Sequence, residues 1–147
     1  MEAGRTAILS VFVLDASTAA AWLLPEEHSD IAEQLIASIS GQCPVPGLFW
    51  HEARSILVTA ERRQRIAAGQ ALTAMTRLRR LPLEDAGAGQ DGSVIELATV
   101  QGLSAYDAAY LELAIARSLP LATLDRKLAA AARAEKVPVL GPFGNEH

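Results

Sequence analysis

Ser10-Val11-Phe12-Val13-Leu14-Asp15 and Pro120-Leu121-Ala122-Thr123-Leu124-Asp125 decide the reading of this chain. Each is a short apolar run closed by an aspartate, and runs of that length read as strands buried on both faces. Between them lie helical patterns. Ser17 or Thr18 caps a first helix that runs to Leu24 and stops at Pro25. His28 to Ser40 follows, with Ile31, Leu35 and Ile39 on its apolar side and Gly41 behind it. Leu48 to Gln64 reads as a third helix, and Ala67 to Arg80 as a fourth with Leu72, Met75 and Leu78-Arg79 near its inner side. Ser93 to Val100 and Ala105 to Ser118 are two more. Arg126 to Lys136 is the last helix, and Val137-Pro138-Val139-Leu140 the last strand. Pro44-Val45-Pro46 is too proline-rich for a central strand and is given only a short edge. Leu81-Pro82-Leu83 is a short strand or turn. Strands alternating with helices predict an α/β fold, a central parallel sheet with helices on both faces. Ligands of such sheets bind beyond the carboxyl ends of the strands, where Asp15 and Asp125 stand.

The 147 residues predict one domain. Half of them are hydrophobic and a fifth are charged, a globular composition rather than a disordered one. The single cysteine, Cys43, excludes an internal disulfide and a Cys-based zinc site. It reads as core filler in a reducing, cytoplasmic compartment. The apolar run Ala7 to Leu14 is too short to span a bilayer, and Glu2 and Arg5 ahead of it do not make a secretory leader. The residues before the first strand read as a disordered start. Net charge is −4 and the pI is about 5.3, which argues against nucleic-acid binding by bulk positive charge. It leaves room for an enzyme in which bound metal supplies the positive charge at a phosphate.

Singly, each acid has an ordinary explanation. Asp15 and Asp125 suit helix N-caps, and Glu52 suits a solvated helix face, although Phe49 and Ile56 put it at the border of the apolar stripe. Asp107 is less easily dismissed. It aligns with Leu103, Tyr110, Leu111 and Ala114, and an unpaired carboxylate on an inward stripe needs a cation or takes up a proton. Taken jointly, two acids end strands at the ligand edge and two lie on helices near the inward face. Four converging carboxylates repel one another, and Mg²⁺ or Mn²⁺ relieves this with hard oxygen coordination. Such a site suits phosphodiester hydrolysis. Thr123, on the same strand face as Asp125, is either a strand residue or a hydroxyl that orients a carboxylate or a metal-bound water. Ser17 divides similarly between helix cap and site group.

These residues resemble a known family. Val13-Leu14-Asp15-Ala16-Ser17, continuing through Trp22 to Glu27, is similar to the opening of VapC-like PIN domains. Trp50-His51-Glu52-Ala53, Ser104-Ala105-Tyr106-Asp107-Ala108-Ala109-Tyr110 and Leu121-Ala122-Thr123-Leu124-Asp125-Arg126-Lys127-Leu128 resemble their second, third and fourth motifs, in order and spacing. The likeness covers about Ser10 to Pro142; Met1 to Thr6 lies outside it. It implies a three-layer PIN fold and a Mg²⁺- or Mn²⁺-dependent endoribonuclease of a toxin–antitoxin pair. Asp15, Glu52, Asp107 and Asp125 would be its metal ligands or ligand-positioners, with Thr123 in support. It further implies an RNA substrate, a homodimer, and a VapB-like antitoxin that blocks the site, often through an arginine.

Arg62, Arg63 and Arg65, and Arg77, Arg79 and Arg80, cluster near two helix ends. They read as a solvated basic face more readily than as RNA-phosphate contacts. His28, His51 and His147 show no metal-ligand spacing. Trp22, Leu23, Ile31, Leu35 and Ile39 serve packing, or in part a partner groove. Other functions fit less well. A dehalogenase-type phosphatase wants a second Asp two residues after Asp15, where Ser17 stands. A receiver domain wants an acidic pair at its first strand. A PIN-fold RNA-binding module without chemistry, or a housekeeping RNA-processing nuclease, remains the alternative to a toxin; the intact quartet argues against the former.

Overall fold

A computed structural model describes residues 10–27 and 29–144. The starting run before Ser10, the helix start at His28, and His147 therefore lie outside the described residues. Strand β1 (Val13–Leu14) pairs in parallel with β4 (Leu121–Ala122), Val13 opposite Leu121, and β4 pairs in parallel with β5 (Val139–Leu140). A second parallel pair joins β2 (Cys43–Val45) to β3 (Leu83–Asp85) and packs beside β1. The connecting helices are α1 (Ala16–Leu23), α2 (Asp30–Ala37), α3 (Leu48–Arg62), α4 (Gln70–Arg79), α5 (Asp91–Gln101), α6 (Ala105–Arg117) and α7 (Arg126–Ala134). A parallel sheet cannot turn back on itself, so each crossover carries helix, and β1, β2 and β4 lie buried with a core that includes Phe12, Phe49, Leu57, Leu111 and Leu128. Among the described residues no helix is long and apolar enough to cross a membrane.

The two strands that end in aspartate are neighbours, and the backbone N–H of Asp15 donates to Ala122 O at 3.2 Å. The carboxyl ends of β1 and β4 thus open on the same side.

Several boundaries differ from the sequence reading. The α1 cap is Asp15 itself, which accepts the Thr18 N–H, and not Ser17 or Thr18. α2 begins at its Ser29 cap and ends early, because Ser10 pairs with Ile39 in a parallel bridge and draws that segment out of the helix. Its buried residues are Ala32 and Ile36, while Ile31 faces out. In α4 the inward stripe is Ala71, Ala74, Met75 and Leu78, and Leu72 is 73% exposed. β2 is a short edge strand as expected, laddered to β3 alone, yet it is fully buried. Cys43 N–H donates to Pro82 O, and Val45 O accepts from Ala86 N–H, so both residues turn their backbones to β3. The alternation of a strand then points Pro44's missing N–H away from β3, where no ladder bond depends on it. Toward β1 the link is the Phe12 N–H donating to Cys43 Sγ at 3.5 Å.

Candidate active site

Asp15 is held on every side. Its Oδ1 accepts from the Ser17 hydroxyl at 2.8 Å and from the Thr18 N–H and hydroxyl, each at 3.0 Å. Its Oδ2 accepts from the Thr123 hydroxyl at 2.5 Å. Burial outweighs these bonds and pushes the carboxyl up to about 6. Thr123 Oγ1 in turn accepts the Asp125 N–H at 2.9 Å, so one buried hydroxyl ties both strand-end acids together. Of the two readings of Thr123, the carboxylate-orienting one describes its contacts. Ser17 is likewise a bridge, its Oγ accepting the Leu124 N–H at 3.1 Å.

Asp125 caps α7, its Oδ1 accepting from the Lys127 and Leu128 N–H groups at 2.8 and 3.1 Å. Asp107 lies in the first turn of α6, placed there by Ser104, whose hydroxyl oxygen accepts the Asp107 N–H at 3.0 Å. Burial and the charge of Asp125 raise its pKa, with Ser104 and Lys127 partly offsetting them. Glu52 comes from the first part of α3. Burial raises its pKa and the charge of Asp107 adds to the rise, while the Tyr110 hydroxyl opposes it by donating to Oε1 at 2.5 Å.

The structure brings all four predicted acids, Asp15, Glu52, Asp107 and Asp125, to the lining of a single cleft of about 320 Å³. Thr123 sits behind it, fully buried. Ser17, Ser55 and Tyr110 complete the polar lining. Tyr110 and Thr18 were not singled out by the sequence reading. Their signal was a phenol one turn beyond Asp107 and a hydroxyl one turn beyond Asp15, since a buried O–H needs an acceptor. Tyr110→Phe, with Glu52→Gln and the double variant, should show a coupling of about 1–3 kcal/mol in urea unfolding at pH 8; a cycle that closes near zero would remove Tyr110 from the site.

Among the described residues no three His, Cys, Asp or Glu side chains close around one point so as to cage an ion. The donors are nevertheless all hard oxygens. Mg²⁺ keeps several waters and takes only one or two carboxylates directly. A cleft of this size with acids on several walls fits a hydrated ion of that kind.

The arginines divide. Arg77 stacks on Trp22 and Arg79 on Trp50, each at 4.0 Å from the ring centre. Arg65 pairs with Glu26 and Glu27. Arg62, Arg63 and Arg80 are exposed. His51 is also exposed, with Nδ1 2.8 Å from Arg54.

A model of the PIN domain matches residues 12–134 of the chain. No curated protein matches it. Two solved structures are similar in fold. The crystal structure of PAE2754 from Pyrobaculum aerophilum is 23% identical, with a TM-score of 0.66 over 88% of this chain and 85% of that one. A toxin–antitoxin complex from Klebsiella pneumoniae is 19% identical, with a TM-score of 0.63 over 90% of this chain and 98% of that one.

Proposed function

Because the chain belongs to the PIN-domain family, we propose that it is a divalent-metal-dependent endoribonuclease, the toxin of a toxin–antitoxin pair. The observation that carries this reading is the lining of one cleft by Asp15, Glu52, Asp107 and Asp125. Burial raises the pKa values of Asp15, Glu52 and Asp107, and the charge of a neighbouring acid adds to the rise at Glu52 and Asp107, which suits a site prepared for a cation.

In this mechanism Asp15, Glu52, Asp107 and Asp125 hold Mg²⁺ or Mn²⁺. When bound, the ion supplies an activated water and neutralises charge at the phosphate. The rest falls to the chain itself. Thr123, Ser17 and Thr18 fix the Asp15 carboxylate so that it needs no rearrangement to face the cleft. Tyr110 fixes Glu52 opposite it. Asp125 commits Oδ1 to the α7 cap, leaving Oδ2 for the cleft. The substrate's anionic backbone meets acids rather than a basic wall here, so RNA binding rests on the ion together with more distant contacts. The expected partners are RNA, a second copy of the chain, and a VapB-like antitoxin. The shared fold with a toxin–antitoxin complex supports the last of these.

The test is cleavage of a fluorogenic RNA. Activity should vanish in EDTA and return on addition of Mg²⁺ or Mn²⁺, and a neighbouring small open reading frame should encode a protein that suppresses it. Cleavage that persists in EDTA would sink the mechanism.

A further inference from the structure

The lining of the acidic cleft has four carboxylates and no lysine or arginine. An RNA strand is therefore repelled by every acid that the ion does not neutralise, and its hold beyond the ion has to come from the rim. Two exposed side chains stand there.

Tyr106 is the first. α6 is buried almost all round from Ala108 to Ala114, but its first turn emerges at the cleft. Tyr106 immediately precedes Asp107 and lies one turn before Tyr110 on the same side of the helix, and both of those residues line the cleft. Long side chains on a helix lean toward its N-terminus, so the Tyr106 ring projects past Tyr110 toward the open first turn. It is 66% exposed, whereas every other phenylalanine, tyrosine and tryptophan is buried or half-buried. Among the described residues its hydroxyl makes no hydrogen bond and its ring no aromatic or cation contact. The cap of α6 is Ser104, so neither cap nor core uses the ring.

Lys127 is the second. It sits in the first turn of α7, where its N–H donates to Asp125 Oδ1 at 2.8 Å. Its side chain is exposed and forms no salt bridge among the described residues. Its charge is nevertheless felt in the cleft. Burial and the Asp125 charge raise the Asp107 pKa, and Lys127 is the one cation that draws it back. No lysine or arginine acts in this way on Asp15 or Glu52.

An aromatic face and an unpaired ammonium beside one acid of the cleft are the two elements that hold a single nucleic-acid strand: a base stacks on the ring and a phosphate meets the cation. A base inside a duplex has both faces covered by its neighbours and has none to offer. We propose that the rim at Tyr106 and Lys127 seats one unpaired nucleotide of the RNA, its base stacked on the Tyr106 ring and its phosphate facing the Lys127 ammonium. The proposal rests on the nuclease reading for the identity of the strand.

Stopped-flow mixing of the full chain, in Mn²⁺, with a short unstructured RNA carrying 2-aminopurine at each position in turn tests it, because the fluorescence reports stacking before any bond is cut. One position should be quenched by wild type, Tyr106→Phe and Tyr106→Trp, and by neither Tyr106→Ala nor Tyr106→Leu. In steady-state cleavage Tyr106→Ala should raise KM about tenfold or more, the loss of one stacked base, with kcat hardly changed. Lys127→Gln should raise KM and lower its dependence on salt, and Lys127→Arg should restore both. A wild-type quench and KM in Tyr106→Ala would overturn the proposal, as would leucine serving as well as phenylalanine, or a loss confined to kcat. Cleavage alongside any of these results leaves the nuclease reading standing. A Tyr106-dependent quench with no cleavage does the reverse, supporting the nucleotide seat and removing the nuclease.

Discussion

Asp15→Asn is expected to lower RNA cleavage by about 10³-fold or more while leaving the chain folded, a loss equivalent to about 4 kcal/mol of transition-state stabilisation. The expectation comes from the two duties of this residue. As a cap, Asp15 offers Oδ1 to the Thr18 N–H and to two hydroxyls. An asparagine oxygen does the same, and Asn and Asp are near equals at that position. On the Oδ2 side an amide donor replaces an acceptor, and the Thr123 hydroxyl has to turn and accept. What disappears is the negative charge. A metal-dependent site loses its most buried anionic donor, and no neighbouring group replaces it. Single-turnover cleavage at saturating Mn²⁺, with circular dichroism to establish folding, measures this. Retention of more than about a tenth of the activity in the folded variant would remove Asp15 from the metal-holding set.

The second large effect is on stability. In the folded chain the Asp15 carboxyl is raised from 3.8 to about 6. A raised acid favours folding while it keeps its proton and opposes folding once it must ionise in a buried place. The unfolded chain releases that proton near pH 4 and the folded chain near pH 6. The contribution of Asp15 therefore falls as pH rises through that window, by about 3 kcal/mol in total at roughly 1.4 kcal/mol per unit. The shifts of Glu52 and Asp107 have the same sign. In EDTA, urea unfolding should show wild type losing ground to Asp15→Asn between pH 4 and pH 7 by about that amount. Added Mn²⁺ should stabilise wild type much more at pH 8 than at pH 5, because it relieves the charged form and has little to relieve in the protonated one. A difference between the two proteins that is flat with pH, or a Mn²⁺ effect independent of pH, would contradict the burial account of this site.

Much of this was legible in the sequence because buried parallel strands write themselves as uninterrupted apolar runs. Val13-Leu14 and Leu121-Ala122 could be placed, and the acids that end them followed. The parity of a strand containing proline was less legible. Pro44 confined the run to an edge, and the pairing with Leu83 to Asp85 shows why it is tolerated there, its imide facing the side without a ladder bond. The extent of α2 was obscured because Ile39 fits a helical stripe and a bridge to Ser10 equally well, and tertiary pairing chose the bridge. At the site, carboxylates announced themselves by type. Of the hydroxyls that fix them, Thr123 and Ser17 were weighed for that role, but Thr18 and Tyr110 were not, since they reach partners on other elements, Ala122 O and Glu52 respectively. The arginines were hidden for the same reason: Arg77 and Arg79 lie against indoles far away in the chain.

The outer margins of the sheet have a further consequence. β3 spans only Leu83–Asp85 and carries Glu84 and Asp85, with Arg117 gripping Glu84 at 2.8 Å, while β5 is just Val139–Leu140. Strands this short, one of them charged, offer a passing polypeptide too few rungs on which to extend the ladder. Self-assembly by strand addition is thereby discouraged, and the chain should resist fibrillar aggregation when concentrated, with any association between copies left to its helices.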